Sequence, residues 1–117
     1  MIELQNEGAI INISSVSRAG NIGQANYSAA KAAVAADTVV WAREFARYGI
    51  RVSGVAPGFI ETDMVASMKP EALQRMTDVI PLKRLGKPQE IAHAIAFLLE
   101  NEYFTGRILE LDGGVRL

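Results

Sequence analysis

A short apolar run, AIINI at residues 9–13, constrains the fold of this chain more than any other stretch. It contains one polar residue and three β-branched isoleucines, so it lacks the alternation of a strand that has one solvated face. Such a run is typical of a strand covered on both faces, as in a parallel sheet. Because strands that alternate with helices form parallel sheets, the run predicts an α/β fold if helices follow it.

Helices and further strands do follow in alternation. The predicted strands lie at 9–13, 50–56 and 107–114, and the predicted helices lie at 26–48, in short pieces within 59–87, and at 88–101. Asn26 is placed to cap the long helix and Gly49 to end it. The order β-α-β-α-α-β predicts part of a doubly wound, Rossmann-like parallel sheet with right-handed crossovers.

Composition narrows the kinds of site that the chain can carry. It has no cysteine, which excludes thiolate chemistry and Cys-ligated metals. The single histidine, His93, leaves no His cluster for zinc and no pattern for a Ser-His-Asp triad, so we expect no metal site. A net charge of −1 without a basic stripe argues against a nucleic-acid partner. No apolar run approaches the ~18 residues of a membrane span, and the opening MIELQNEG lacks the apolar core of a signal peptide. We therefore expect a cytoplasmic protein with no membrane partner, and His93 on its surface.

The stretch GNIGQANYSAAKAAVAA, residues 20–36, places Tyr27 and Lys31 four positions apart at the start of the long helix. Side chains at this spacing project from one helix face. A neighbouring ammonium stabilises a phenolate, which helps a tyrosine exchange a proton near neutral pH. A hydroxyl from the preceding strand end, Ser14 or Ser15, is placed to orient a carbonyl oxygen. The spacing alone also fits a packed tyrosine beside a solvated lysine.

Five segments resemble the short-chain dehydrogenase/reductase family, in the family's order and over nearly the whole chain. They are IINISS, GQANYSAAKAA, RYGIRVSGVAPGFIETDM, PLKRLGKPQEIAHAIAFLL and TGRILELDGG. Within the family, the sequence is most similar to the β-ketoacyl-acyl-carrier-protein reductase branch. The resemblance implies an NAD(P)-dependent oxidoreductase that reduces a small-molecule carbonyl, such as a 3-oxoacyl group, or oxidises the alcohol. It also implies a homo-oligomer, whose interface in this family commonly lies along the 26–48 helix.

The resemblance implies that Tyr27 is the general acid/base, and that Lys31 binds the nicotinamide ribose of NAD(P)(H) and stabilises the phenolate. The catalytic serine has two candidates. Counting back from Tyr27 by the family's usual interval gives Ser14, whereas aligning the strand end IINISS gives Ser15. Adjacent strand side chains point to opposite faces, so only one serine can face the site. Strand register slips less readily than loop length changes, which favours Ser15.

The same resemblance implies a second group of cofactor-binding residues after the second strand. Pro57 and Gly58 are implied to lie against the nicotinamide, and Ile60 and Thr62 to touch its carboxamide or the adjacent phosphates. Considered without the resemblance, Pro57 and Gly58 form a strand-ending turn, and Thr62 caps the short helix that follows.

Five further side chains have two interpretations each. Arg18 and Gln24 flank the expected substrate mouth, where they either contact substrate or only solvate the loop. Met64, Met68 and Met76 either line an apolar lid over an acyl substrate or pack as ordinary core residues.

The resemblance covers only the C-terminal half of such an enzyme. A G-x-G-x-x-G phosphate loop occurs nowhere in the sequence, and neither the residue that selects NAD or NADP nor the family's catalytic Asn is present. We therefore interpret residues 1–117 as a partial domain that lacks the N-terminal dinucleotide-binding half. One hypothesis is a piece of a carbonyl reductase or alcohol dehydrogenase: a fragment, a truncated gene model or a chain completed by another. The other is a non-catalytic remnant that acts only by packing against an oligomer or a partner.

Overall fold

The computed structural model describes residues 1–4 and 6–117. Its strands are β1 Gly8–Ile13, β2 Ile50–Pro57 and β3 Ile108–Leu111, and its helices are α1 Ala25–Phe45, α2 Asp63–Ala66, α3 Pro70–Asp78 and α4 Pro88–Glu100. Two 3₁₀ turns, Val16–Ala19 and Ala46–Tyr48, flank α1. The predicted fold class and the order β-α-β-α-α-β are confirmed.

The three strands form one parallel sheet in the order β1-β2-β3. The β1–β2 register runs from Gly8 opposite Ile50 to Ile13 opposite Val55. The β3 strand pairs with the second half of β2, beginning with Ile108 opposite Gly54. The β2 strand is therefore central and almost wholly buried, whereas β1 and β3 lie at the two edges.

Helices cover both faces of this sheet. On one face, side chains of α1 pack against alternate residues of β1 and β2, namely Trp41, Ala42 and Phe45 against Ile10, Ile50 and Val52. On the other face, α4 packs against the intervening residues, namely Ile91, Ala94, Ile95 and Leu98 around Ile11, Val55, Leu109 and Leu111. The prediction that AIINI is a strand covered on both faces is thus confirmed, with α1 on one face and α4 on the other.

This arrangement corrects the prediction that both crossovers are right-handed. The chain moves in one direction across the sheet, from β1 through β2 to β3. The α1 crossover passes one face and the α4 crossover passes the other. Two connections that step the same way on opposite faces must have opposite handedness, so one of them is left-handed. The general preference for right-handed crossovers is overridden because α4 covers the face that α1 leaves open.

The ends of α1 differ in part from the prediction. The helix begins at Ala25 with Gln24 as its N-cap residue, and no side-chain hydrogen bond caps it. Asn26 therefore lies inside the helix, and its predicted capping role is wrong. Gly49 follows the 3₁₀ turn with a left-handed φ of 71°, which confirms that it ends the helical segment. The loop predicted before α1 also contains the 3₁₀ turn Val16–Ala19.

Arg51 of β2 fixes the C-terminal end of α4. Its guanidinium donates hydrogen bonds to the carbonyl oxygens of Leu98 at 2.7 Å, Leu99 at 3.0 Å and Asn101 at 3.0 Å. The last carbonyls of a helix have no intrahelical donors and carry partial negative charge, so a guanidinium is a favourable partner. A strand residue thereby supplies the cap that the helix sequence itself lacks.

At the other end of α4, Glu90 accepts hydrogen bonds from the backbone N–H of Lys87 at 3.0 Å and from both guanidinium nitrogens of Arg84 at 2.7 and 2.9 Å. These contacts stabilise the carboxylate and lower the pKa of Glu90 to about 2, with the hydrogen bond from Arg84 as the largest cause. His93, farther along α4, is exposed, as predicted. No helix in the described part of the chain is both long and apolar enough to cross a membrane.

Candidate functional site

The first group of predicted residues meets at the carboxyl end of β1. The β1–β2 ladder continues one residue past the strand, because the Ser14 N–H donates to the carbonyl oxygen of Val55 at 2.8 Å. Above this point, the Lys31 ammonium donates to the carbonyl oxygen of Ile13 at 3.1 Å. The first turns of α1 are therefore held over the end of β1. In open α/β sheets, ligands bind at the carboxyl ends of strands.

Tyr27 and Lys31 lie together on α1, as the four-residue spacing predicts. The Lys31 ammonium is 5.6 Å from the centroid of the Tyr27 ring. Tyr27 remains 46% exposed, so a solvent-borne molecule can reach its phenol. Electrostatically, the pair places one positive charge beside the ring of an accessible tyrosine, at a strand end where the carbonyl oxygen of Ile13 accepts a hydrogen bond from the ammonium.

The two serines are both buried but make different hydrogen bonds. The Ser14 hydroxyl donates to the carbonyl oxygen of Lys31 at 2.8 Å, so its proton is engaged. The Ser15 hydroxyl accepts from the Ser17 N–H at 3.1 Å and thereby caps the 3₁₀ turn. Within residues 1–4 and 6–117, this is the one hydrogen bond of the Ser15 hydroxyl, and its proton remains available to a further acceptor.

A polar network continues from the 3₁₀ turn towards Tyr27. The Gln24 side-chain oxygen accepts from the Ser17 hydroxyl at 2.8 Å and from the Asn21 amide at 2.7 Å. These two bonds fix the loop that leads into α1. Sequence inspection singled out Gln24 but missed Ser17, because a serine in a polar loop carries no distinguishing pattern. It also missed Ser28, whose buried hydroxyl has no partner among the described residues.

Pro57 and Gly58 form the end of β2, next to the serines across the β1–β2 ladder. The Gly58 N–H donates to the carbonyl oxygen of Leu111 at 2.8 Å, which continues the pairing with β3. A Cβ atom at Gly58 would lie 2.7 Å from Asp112 Cα and 2.8 Å from Asp112 Cβ. Packing alone therefore requires glycine here, a constraint that the sequence does not reveal.

Ile60 and Thr62 lie farther along the same loop, outside the Tyr27 group. Ile60 forms an isolated parallel bridge with Gly86. Thr62 is the N-cap of α2, and its hydroxyl accepts from the Val65 N–H at 3.2 Å, as its interpretation as a helix cap predicts. The structure does not bring these two residues into contact with Tyr27 or Lys31.

Two cavities lie near these residues. An open cleft of about 570 Å³ is lined by residues 21 and 23–27, and includes Tyr27. A smaller cavity of about 160 Å³ lies between the loop after β2 and α4, and includes Ile60 together with Phe59, Leu82, Arg84 and Ile91. Tyr27 lines the open cleft and does not line the smaller cavity, so the open cleft is the one from which a molecule reaches Tyr27.

The three methionines differ in burial. Met64 is 77% exposed, whereas Met68 and Met76 are partly buried. Across the part of the chain that the structure describes, no group of three or more His, Asp or Glu side chains is arranged to hold a metal ion.

The chain is similar to proteins of known activity over almost its whole length. A family model described as enoyl-(acyl carrier protein) reductase matches residues 2–116. The acetoacetyl-CoA reductase of Synechocystis is 48% identical over 110 residues, which are 91% of this chain and 46% of that protein. The 3-oxoacyl-(acyl-carrier-protein) reductase of Thermotoga maritima is 47% identical over 114 residues, which cover 95% of this chain and 46% of the relative.

Among solved structures, a 3-hydroxyacyl-CoA dehydrogenase type-2 from Mycobacterium avium superposes with a TM-score of 0.91 at 44% identity. The superposition covers 94% of this chain and 43% of the other. The chain thus spans somewhat less than half the length of the relatives that it matches. By sequence and by fold, it belongs to the short-chain dehydrogenase/reductase family.

Proposed function

We propose that this chain carries the proton-transfer residues of a nicotinamide-dependent reductase acting on a 3-oxoacyl or related carbonyl. The observation that supports this most directly is the position of Lys31. Its ammonium lies beside the ring of an accessible tyrosine and is held by a backbone carbonyl at a strand end. The named activities of the relatives, which reduce acetoacetyl-CoA and 3-oxoacyl groups, support the choice of substrate class.

In this proposal, Tyr27 donates its phenolic proton to the carbonyl oxygen of the substrate. Lys31 stabilises the phenolate that remains. Ser15 donates a hydrogen bond to the same carbonyl oxygen and orients it, because its proton is not engaged elsewhere among the described residues. Ser14 plays a structural part by joining the end of β1 to α1. In the reverse direction, Tyr27 accepts the proton of an alcohol.

The residues present fit the nicotinamide end of an NAD(P)(H) cofactor. When bound, the cofactor supplies or accepts the hydride. We assign Lys31 to its ribose, Pro57 and Gly58 to one side of its ring, and Ile60 and Thr62 to its carboxamide or nearest phosphates. The Thr62 hydroxyl accepts one backbone hydrogen bond and retains a proton that it can donate to an anionic group. The adenosine end has no phosphate-cradling glycine loop within this sequence.

A hybrid enzyme tests the role of Tyr27. Residues 1–117 are joined to the N-terminal half of the Thermotoga maritima reductase, and NADPH oxidation is followed with acetoacetyl-CoA. We expect Tyr27→Phe to reduce kcat by at least about 10²-fold, because a positioned general acid contributes about that much or more, while NADPH binding persists. Tyr103→Phe is the matched control, since Tyr103 is fully exposed. Near-normal turnover in the Tyr27→Phe hybrid would refute the assigned role.

We also propose that the chain self-associates through the outer face of α1, as its family resemblance implies. That face is exposed and carries small or apolar side chains, namely Ala29, Ala33, Ala36 and Val40. Small side chains permit a second helix to approach closely, and burial of this exposed face would stabilise the association. A monomeric mass by light scattering, unchanged in Ala33→Glu, would contradict this proposal. The same result would also contradict the hypothesis of a non-catalytic remnant, because packing against an oligomer or a partner requires this surface.

A further inference from the structure

We propose that Arg18 is a positioning residue, which holds the Ser15 turn against the end of β2 through its ion pair with Glu110. The inference rests on the proposed function, because it concerns how the serine of that site is held. One Arg18 guanidinium nitrogen lies 2.9 Å from a carboxylate oxygen of Glu110 on β3. The two side chains are 24% and 44% exposed, so solvent screens the pair only in part.

Arg18 is joined to Ser15 through the backbone. The Arg18 N–H donates to the carbonyl oxygen of Ser15 at 3.1 Å, and the Ser17 N–H donates to the Ser15 hydroxyl at 3.1 Å. Both bonds belong to the 3₁₀ turn Val16–Ala19. A displacement of Arg18 therefore changes the geometry around both oxygens of Ser15.

Glu110 is joined to the other side of the site. It pairs with Ala56 in the β2–β3 register, directly before Pro57. The next β3 residue, Leu111, accepts the hydrogen bond from the Gly58 N–H at 2.8 Å. Glu110 therefore moves with the strand end that we assign to the nicotinamide ring. The ion pair spans the sheet between the serine turn and this strand end, two elements that are far apart in sequence.

The other cation near Glu110 does not replace Arg18. Arg116 is 76% exposed and lies 4.0 Å from Glu110, but only 3.3 Å from Asp112. Its shorter contact is thus to a different carboxylate. Because the Arg18 guanidinium is engaged with Glu110, Arg18 acts on substrate through Ser15 and not as a free cation at the cleft.

The first test uses the 117-residue chain and measures amide hydrogen exchange at Ser17 and Arg18 by NMR. We expect Glu110→Gln to accelerate exchange at both amides by about 1.5- to 5-fold, the range that a partly exposed ion pair supports. Arg18→Gln should have the same effect, and the double variant should exchange no faster than either single variant. Arg84→Gln is the matched control, because it breaks the Arg84–Glu90 pair away from this turn. Unchanged exchange in Glu110→Gln would overturn the proposal.

The second test uses the hybrid enzyme and separates positioning from plain stabilisation. Glu110→Gln should lower kcat by about 1.5- to 5-fold with the KM for NADPH unchanged, and Arg18→Lys should retain most of the rate because it keeps the charge. If the amides exchange faster but kcat is unaffected, the pair is only structural and the proposal fails. Failure of the proposed function is recognised separately, by near-normal turnover in the Tyr27→Phe hybrid.

Discussion

At the scale of single residues, two adjacent serines show how one strand end supports two different tasks. Ser14 bonds the carbonyl oxygen of Lys31, and Ser15 bonds the N–H of Ser17. The first contact joins β1 to α1, and the second caps the 3₁₀ turn Val16–Ala19. Because neighbouring side chains leave a strand in opposite directions, the two tasks cannot be exchanged without rebuilding the loop.

These contacts predict different outcomes for the two alanine variants. Ser14→Ala removes one buried hydrogen bond, so we expect the free energy of unfolding in urea to fall by about 1 kcal/mol. Turnover of the hybrid enzyme should change little. Ser15→Ala should lower kcat by about 10²-fold or more, since it removes a donor from the reacting oxygen. A larger loss of turnover from Ser14→Ala than from Ser15→Ala would reverse the assignment.

At the scale of secondary-structure elements, α4 is held at both ends by residues outside it. Arg51 donates hydrogen bonds to its last carbonyl oxygens, and Arg84 and Glu90 form an ion pair at its first turn. The helix also packs on one face of the sheet, around Ile11, Val55 and Leu109. Substitutions at its two ends are therefore expected to change the stability of the chain.

The first element-scale prediction concerns Arg51. Replacement with Met keeps a long apolar stem but leaves the carbonyl oxygens of Leu98, Leu99 and Asn101 without this donor. We expect the free energy of unfolding to fall by about 1.5–3 kcal/mol, the range for hydrogen bonds that involve a charged group. Arg51→Lys should recover only part of this loss, because an ammonium is a point donor and not a fork. If Arg51→Met were as stable as the unmodified chain in urea denaturation, the capping role would be contradicted.

The second concerns the pH dependence of Glu90. Its pKa is lowered from 4.5 to about 2 in the folded chain, with the hydrogen bond from Arg84 as the main cause. A carboxyl whose pKa is lower when folded contributes stability that is complete above the unfolded pKa. That contribution is lost as the pH falls from about 4.5 towards 2. We therefore expect the Tm difference between the unmodified chain and Glu90→Gln to shrink across this window. A constant difference from pH 6 to pH 2.5 would disprove the coupling.

The elements themselves were predictable from sequence, because each carries its own local signal. The apolar run at 9–13 marks a strand, Gly49 marks a helix end and Pro88 marks the start of α4, and all three occur as expected. What failed depends on distant partners. Asn26 has capping chemistry, but the helix begins at Ala25 and Gln24 occupies the N-cap position, with its side chain bonded to Ser17 across the preceding loop. Crossover handedness failed likewise, since it depends on which face another helix already covers.

The site was predictable only in part, for the same reason. The four-residue spacing indicates that Tyr27 and Lys31 share a helix face, and the structure places them together. No local pattern indicates that Ser14 would bond α1, or that Gly58 would pack on Asp112. Nor does any pattern connect Arg18 with Glu110, which lie at opposite ends of the chain.

At the scale of the whole molecule, the main feature is the free edge of β1, on the side of the strand away from β2. The strand is apolar on both faces, which is typical of sheet interiors, yet within residues 1–4 and 6–117 it pairs with β2 alone. Ile13 at its end is 43% exposed. An unpaired apolar edge is a template for another strand. We therefore expect the N-terminal half of a relative to dock on this edge and to supply the rest of the cofactor site.

Complementation in trans tests this expectation. The 117-residue chain alone should show no measurable NADPH binding, because it contains no phosphate-cradling loop. Mixed with the separately produced N-terminal half of the Thermotoga maritima reductase, it should gain Tm and bind NADPH. Ile11→Pro, in the middle of the β1 edge, should abolish both the gain in Tm and the NADPH binding, since proline cannot donate to a strand ladder. Micromolar NADPH affinity of the 117 residues alone would contradict the prediction.

The parallel sheet also sets how the chain reaches its native state. Every strand pairing joins distant residues, since Gly8 pairs with Ile50 and Gly54 with Ile108. Such pairings close long loops before they gain any contacts, which slows folding to milliseconds or longer. The helices can form locally before the sheet does, and the apolar β1 segment remains unpaired during that time. The chain is therefore most prone to aggregation during folding. Faster pairing of β1 with β2 would reduce this aggregation more than an increase in the stability of the native state.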